Sequence, residues 1–586
     1  MKQILTALTL LFFISCTSDT SMKQELDDNW TFRQQGKDTW SKAAVPGTVH
    51  TDLMAANEIP DPYYRDNENK VQWVSRENWE YQTIFDCKPG IMDQEHVVLH
   101  FDGIDTYADV FLNGTKILSA DNMFRTWEAD VKSLLKEKGN ELYLLFYSPD
   151  KMADSLAAAS PVAYPSDNNR HYVRKAQYHY GWDWGPKLTT SGIWKPVSLL
   201  AWNGERKEEV PVAKYGKKDV VKLVQEPDSI GVSFYFTVNG EPTFMKGANW
   251  IPADMFLPRI TKDKYRELLV AAKEANINML RVWGGGIYED DYFYDLCDSL
   301  GIYVWQDFMF ACAMYPGDSG FLESIKQEAI DNIKRLRHHS SIVLWCGNNE
   351  IDEAWHNWGW QKQFNLTAAQ EEKVWNEYQQ LFHDLLPSLV KEYDPERPYI
   401  TTSPQKGWGR KESMTQGDSH YWGLWHGLEP VSVMKEKVPR FMSEYGMQAM
   451  PNISTIHKYA IPSDFDTASE VMKVHQKHRT GYANLAKYIA MENLQPKTFE
   501  EYVAATQEVQ HRALSTAITA HMNSGGRCMG TLFWQFNDCW PVSSWSVVDY
   551  YGEKKKAYYT VQELYGKKAE TVKAKRKRVY KCASTA

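Results

Sequence analysis

The stretch IVLWCGNNE at 342–350 runs four apolar or aromatic residues through Cys346 and Gly347 into two asparagines and a glutamate. A short, continuous apolar run is the pattern of a strand buried on both faces. A carboxylate at its end belongs at the edge of a core. The same texture recurs at 243–250 (TFMKGANW), 277–285, 302–310, 398–403, 418–423, 440–446 (RFMSEYG) and 530–538 (GTLFWQFND). Helical periodicity lies between these runs, as at 262–276, 320–339 and 372–393. Eight strands alternating with helices between residues 241 and 566 meet the requirement of a closed (β/α)8 barrel. An open doubly wound sheet would suit the alternation equally well, but it calls for a Gly-rich phosphate loop after the first strand. None follows 243–250.

In such barrels, loops at the C-terminal ends of the strands carry the reactive groups. Glu350 closes the fourth strand candidate and Glu444 the seventh, across the barrel mouth from one another. Two carboxylates on one cleft suit glycoside hydrolysis, in which one protonates the leaving oxygen and the other attacks or activates water. Asn349 adds an amide able to donate to a sugar hydroxyl. Helix capping and salt bridges are the competing uses of strand-end glutamates. Tryptophans weigh against that alternative: Trp283, Trp422 and Trp534 fall at strand ends, and Trp355, Trp358 and Trp360 crowd the loop after Glu350. Six at one expected rim read as walls and stacking faces for sugar rings.

Residues 22–205 have a different texture, with short alternating runs at 80–85, 96–104, 107–117 and 141–147 separated by turn residues. The Asn113-Gly114 pair is a hairpin signal. This region reads as an antiparallel, jelly-roll-like β-sandwich, so the chain is multidomain, all-β followed by α/β. A formal charge of −9 argues against a nucleic-acid partner. The eight cysteines show no CxxC or His/Cys ligand spacing, so neither a metal, a cofactor nor a required disulfide is expected. Residues 1–21 begin with a basic residue and an apolar run too short to span a bilayer, followed by Ser15-Cys16. That segment predicts export, to the periplasm or, with Cys16 lipidated, as an outer-membrane-anchored lipoprotein; an ordinary secretory signal is the alternative.

The motifs VPGTVHTDL (45–53), YGWDWGP (180–186), KGANWIPAD (246–254), RVWGGGIYE (281–289), WCGNNE (345–350), SEYGMQ (443–448) and FWQFND (533–538) together resemble the β-mannosidases of glycoside hydrolase family 2. The resemblance runs from about residue 25 to 565. It implies a retaining exo-glycosidase that acts on oligosaccharides with a terminal β-mannose, with Glu350 as acid/base and Glu444 as nucleophile. It also implies that Trp182, Asp183 and Trp184 reach from the sandwich into the barrel mouth to bind the terminal sugar. A protonated Glu350 needs a raised pKa, for which the expected source is the charge of Glu444.

Two departures stand out. Relatives carry an immunoglobulin-like spacer between sandwich and barrel, whereas residues 206–240 offer a linker with a remnant of it. Relatives continue in β domains, whereas 567–586 read as a basic, disordered tail. Loss of the spacer puts in question whether the sandwich docks over the barrel. The competing functions are another family 2 exo-glycosidase, on β-galactosides, β-glucuronides or glucosaminides, and a non-catalytic sugar-binding fragment.

Overall fold

The computed structural model describes residues 21–206 and 219–571. Cys16 and the rest of the leader through residue 20, part of the expected linker, and 572–586 of the expected tail lie outside them.

All eight expected barrel strands form, each shorter than its apolar run: Met245–Trp250, Met279–Val282, Tyr303–Asp307, Ile342–Cys346, Tyr399–Ile400, Asp418–His420, Phe441–Glu444 and Gly530–Phe533. Every pair is parallel, in the spatial order five, four, three, two, one, eight, seven, six. That order is a TIM-type arrangement opened between strands five and six. At the opening, Lys406 N–H donates to Asp418 O at 3.2 Å and Trp408 N–H to His420 O at 3.1 Å, so backbone bonds still cross it.

The helices start where side chains replace missing backbone acceptors. Thr261 caps Lys262–Glu274, and Asp318 caps Ser319–Leu336. The single helix expected over 372–393 is instead helix, a π-helical turn at Gln380–Leu385, then helix. Pro387 explains the interruption: its ring excludes the carbonyl four residues earlier, and it has no N–H to donate.

The sandwich half contains a four-stranded and a six-stranded antiparallel sheet. Strands His96–Phe101 and Asn140–Phe146 alternate buried and accessible residues, which puts Val97, Leu99 and Phe101 in one core with Leu142, Leu144 and Phe146. The Asn113-Gly114 turn has φ of 52° and 81°, the left-handed pair a two-residue hairpin requires. After the gap, Val221–Val224, Tyr235–Val238 and Glu241–Thr243 form a three-stranded sheet. Its Phe234 and Phe236 pack with Met245, Trp305, Phe441 and Leu532 and so floor the barrel.

The sandwich docks on the barrel mouth. Two fully buried arginines from the sandwich segment carry the contact. Arg174 forms a bidentate pair with Glu328 at 2.6 and 2.9 Å and donates to Met309 O. Arg170 donates to the carbonyls of Ala311 and Cys312, at 2.9 Å each. Asn122 and Tyr288 donate to the same Glu328 carboxylate, leaving little of it unpaired. Removing one partner of such a pair strands a charge in the core, at a cost of about 3–5 kcal/mol. Glu328→Ala is therefore expected to lower the thermal unfolding midpoint clearly. The double variant Arg174→Met/Glu328→Leu, which strands no charge, should lower it less; both are read by scanning calorimetry.

Candidate active site

The sequence NNE at 348–350 divides three tasks among three side chains. Asn348 accepts from Ile351 N–H at 3.1 Å and from Thr402 Oγ1 at 2.8 Å, capping the helix Ile351–Asn357. Asn349 turns its Oδ1 to Arg281 Nη2 at 2.8 Å, and a guanidinium, being donor-only, fixes which way that amide points. The Asn349 NH2 group then faces Cys312 Sγ at 3.4 Å. Glu350 takes φ of 63°, a left-handed conformation costly for a residue with a Cβ. Its N–H donates to Ser403 O on the neighbouring strand end. With Asn348 capping the helix, the Glu350 carboxylate is free to face the barrel axis.

Glu444, at the end of strand seven, meets it there. His420 Nδ1 lies 2.8 Å from Glu350 Oε1 and 3.4 Å from Glu444 Oε2, and one ligand atom from each of these three residues falls within 4.8 Å of the others. Burial drives the His420 pKa well below the usual range, aided by Arg281, so the ring is neutral. Arg281 Nη1 faces its Nε2 at 3.5 Å. Ser403 Oγ lies closer to the same nitrogen, at 3.1 Å, so Nε2 is held between a guanidinium and a hydroxyl while Nδ1 faces the two carboxylates.

Arg281 ties the centre together. It donates to Glu444 Oε1 at 2.6 Å, to Asp307 at 2.8 and 3.3 Å, and to Asn249 Oδ1 at 3.0 Å. Burial raises the pKa of both glutamates, Glu350 to about 7. The direct guanidinium contact keeps the shared negative charge on Glu444 and leaves the proton on Glu350. Burial is thus the main source of the Glu350 shift, with the charge of Glu353 behind it, a correction to the expectation from sequence. Cys312 Sγ donates to Glu350 Oε2 at 3.5 Å.

The loop at 180–186 lies over this centre. The Trp182 ring packs on Trp283 at 4.7 Å, Trp184 on Trp283 at 5.4 Å and on Trp534 at 6.2 Å. Trp283 and Trp534 meet at 5.4 Å. Gly285 makes this packing possible, because a Cβ there would sit 1.9 Å from the Trp283 ring. Asp183 is raised to about 7, by burial first and by the charge of Glu350 second, which places it within the field of the glutamate pair.

The expectation of six open sugar platforms needs correction. Trp283, Trp534, Trp355 and Trp360 are each at most 7% exposed. The first two hold the sandwich loop on the barrel, and Trp355 stacks on Trp375. Trp358 is 45% exposed at the far end of the helix that Glu350 begins, and its ring meets Trp360 rather than the tryptophan cluster. Trp182 and Trp422 are the partly open ones. Sequence reasoning passed over Arg281, Asp307, Cys312 and His420. The available signal was a lone charged or imidazole side chain inside an otherwise apolar strand end.

Three comparisons bear on this geometry. Residues 30–195 match the family model of the glycosyl hydrolase 2 galactose-binding domain-like fold. Beta-mannosidase B of Thermothelomyces thermophilus is 36% identical over 659 residues, covering 92% of this chain and 76% of that protein. The crystal structure of the β-D-mannosidase from Dictyoglomus thermophilum superposes with a TM-score of 0.87 at 38% identity, over 93% of this chain and 78% of that one. An exo-chitosanase from Amycolatopsis orientalis shares the fold alone, with a TM-score of 0.66 at 15% identity over 93% of this chain and 73% of its own. With a relative above one-third identity aligned along nearly all of its length, this chain belongs to the β-mannosidases of glycoside hydrolase family 2.

Proposed function

We propose that the protein is an exo-acting, retaining glycoside hydrolase that releases terminal non-reducing β-D-mannose from β-mannosides. The observation that carries this is the meeting of Glu350 and Glu444 at one histidine nitrogen, with carboxylate oxygens within 4.8 Å. Retaining enzymes hold their carboxyl groups about 5–5.5 Å apart, whereas inverting ones need about 6.5–9.5 Å to admit a water. Glu444, kept ionised by Arg281, attacks the anomeric carbon as Glu350 protonates the departing oxygen. Esterification of Glu444 removes a negative charge beside Glu350, whose pKa then falls. Glu350 can now take the proton of the water that cleaves the ester. Asn349, its oxygen tied to Arg281, presents its NH2 group to the sugar 2-hydroxyl. Asp183 accepts from hydroxyls of the terminal sugar, and Trp182 and Trp422 wall the pocket, backed by the buried Trp184, Trp283 and Trp534.

The identities of the relatives support mannose over galactose, glucuronate or glucosamine. The alignment with the Thermothelomyces protein spans 659 residues, more than the 586 of this chain, which supports the reading of an absent spacer. We read the two-sheet half as jelly-roll-like and the parallel sheet as a complete (β/α)8 barrel. Export, with Cys16 as a lipid-anchored residue, is proposed from the leader alone.

Glu444→Gln should lower kcat/KM on an aryl β-mannoside by about 10^4-fold or more, the scale seen when a covalent nucleophile is removed. Glu350→Ala should lose about 10^2–10^4-fold on unactivated mannosides, the contribution of general acid catalysis, and far less on a dinitrophenyl leaving group. Equal and negligible hydrolysis by wild type and both variants would leave the sugar-binding alternative in place. A second outcome concerns pH. Since Glu350 must enter the cycle protonated and its pKa is raised to about 7, kcat/KM should fall as pH rises through about 7. The pH profile of Glu350→Ala on the activated substrate should lack that limb.

A further inference from the structure

Three side chains from three loops converge at the mouth of the pocket, beside the glutamate pair. Asp183 comes from the sandwich loop, His426 from the segment after strand six, and His478 from the long segment after strand seven. One ligand atom of each lies within 4.8 Å of the other two. His426 Nδ1 and His478 Nε2 stand 3.3 Å apart. Two imidazole nitrogens each at about 2.0–2.1 Å from a tetrahedral zinc are separated by about 3.3–3.4 Å, so the pair already has the required bite.

The electrostatics point the same way. The charges nearest the Asp183 carboxyl are those of Glu350 and Asp167, both of its own sign. With the ordinary imidazole pKa of about 6.5, both rings are neutral at and above pH 7 and carry lone pairs. An anionic field, two neutral imidazoles and a carboxylate make a donor set that suits zinc. A supporting shell is present as well. Thr480 holds the His478 ring from the other side, its N–H and Oγ1 each 3.4 Å from Nδ1. The rings are held by aromatic neighbours, His478 by Trp425 at 5.4 Å and His426 by Trp422 at 5.2 Å.

We propose that Asp183, His426 and His478 form a binding site for a zinc-class divalent cation, completed by a water. The ion would bridge the sandwich loop to two barrel loops and take up the carboxylate that otherwise meets the sugar. Zinc would then inhibit hydrolysis competitively, an effect that rests on the proposed glycosidase reading; the binding itself does not. The sequence carried no metal signature because the ligands are separated by 243 and 52 positions rather than by a local spacing.

The test is equilibrium dialysis of the full chain against Zn2+, with Co2+ as a visible probe. One ion per chain is expected, together with the absorption bands of four-coordinate cobalt. His426→Ala and His478→Ala should each weaken uptake by at least about tenfold, the scale of loss when a metal site is disturbed. Without added metal, their turnover of an aryl β-mannoside should stay close to wild type, and their sensitivity to zinc should drop in parallel with uptake. Absence of stoichiometric uptake by the wild type would overturn the proposal. So would uptake undiminished in both variants, which would place the ion at Glu350, His420 and Glu444 instead. Uptake lost in the variants of a chain with no glycosidase activity would uphold the site and defeat the functional reading.

Discussion

A single guanidinium, fully buried at the barrel axis, is the constraint around which the site is built. Arg281 faces Glu444, Asp307, Asn249 and Asn349 at once. Burying a charge costs several kcal/mol unless its partners are well placed, and here the partners outnumber it in negative charge. That imbalance has a functional consequence. One carboxylate of the centre can remain ionised against the guanidinium while another, Glu350, stays protonated near neutral pH. The Arg281 contact also orients the Asn349 amide, so the ionised carboxylate and the amide take their roles from one neighbour.

The docking of the sandwich on the barrel obeys similar rules. Arg170 and Arg174 reach from the sandwich segment to carbonyls of the loop after strand three, the same loop that carries Cys312 to Glu350. Packing of Trp182, Trp184, Trp283 and Trp534 adds apolar area to this polar clasp. These contacts between sandwich and barrel are what hold the Asp183 loop at the barrel mouth. Interdomain position is set locally, by buried hydrogen bonds and aromatic contacts that few substitutions could imitate.

Polar groups at the strand ends serve structure and chemistry together. Asp418 accepts from Ser403 Oγ, Ser443 Oγ and Gln405 N–H, which ties strand five, strand seven and the opening between strands five and six to one carboxylate. Such a network is favourable only when nearly every member is satisfied. Here it leaves the two glutamates as the groups whose hydrogen-bonding capacity is still directed at the cavity.

Strand positions were legible because period and length are local properties: apolar runs bounded by polar residues can form little else, and counting them put Glu350 and Glu444 on opposite walls. The Asn113-Gly114 hairpin was legible for the same reason. Other features depended on distance through space. Whether a tryptophan is a sugar platform or packing depends on what lies against it, so Trp283 and Trp534 looked exposed in sequence and are buried in the fold. The source of the Glu350 pKa shift, the convergence of Asp183 with His426 and His478, and the role of Arg281 all require residues far apart in the chain to meet. A one-dimensional pattern records which side chains are available, while burial and pairing, which set their protonation and charge, exist only once the domains have closed on each other.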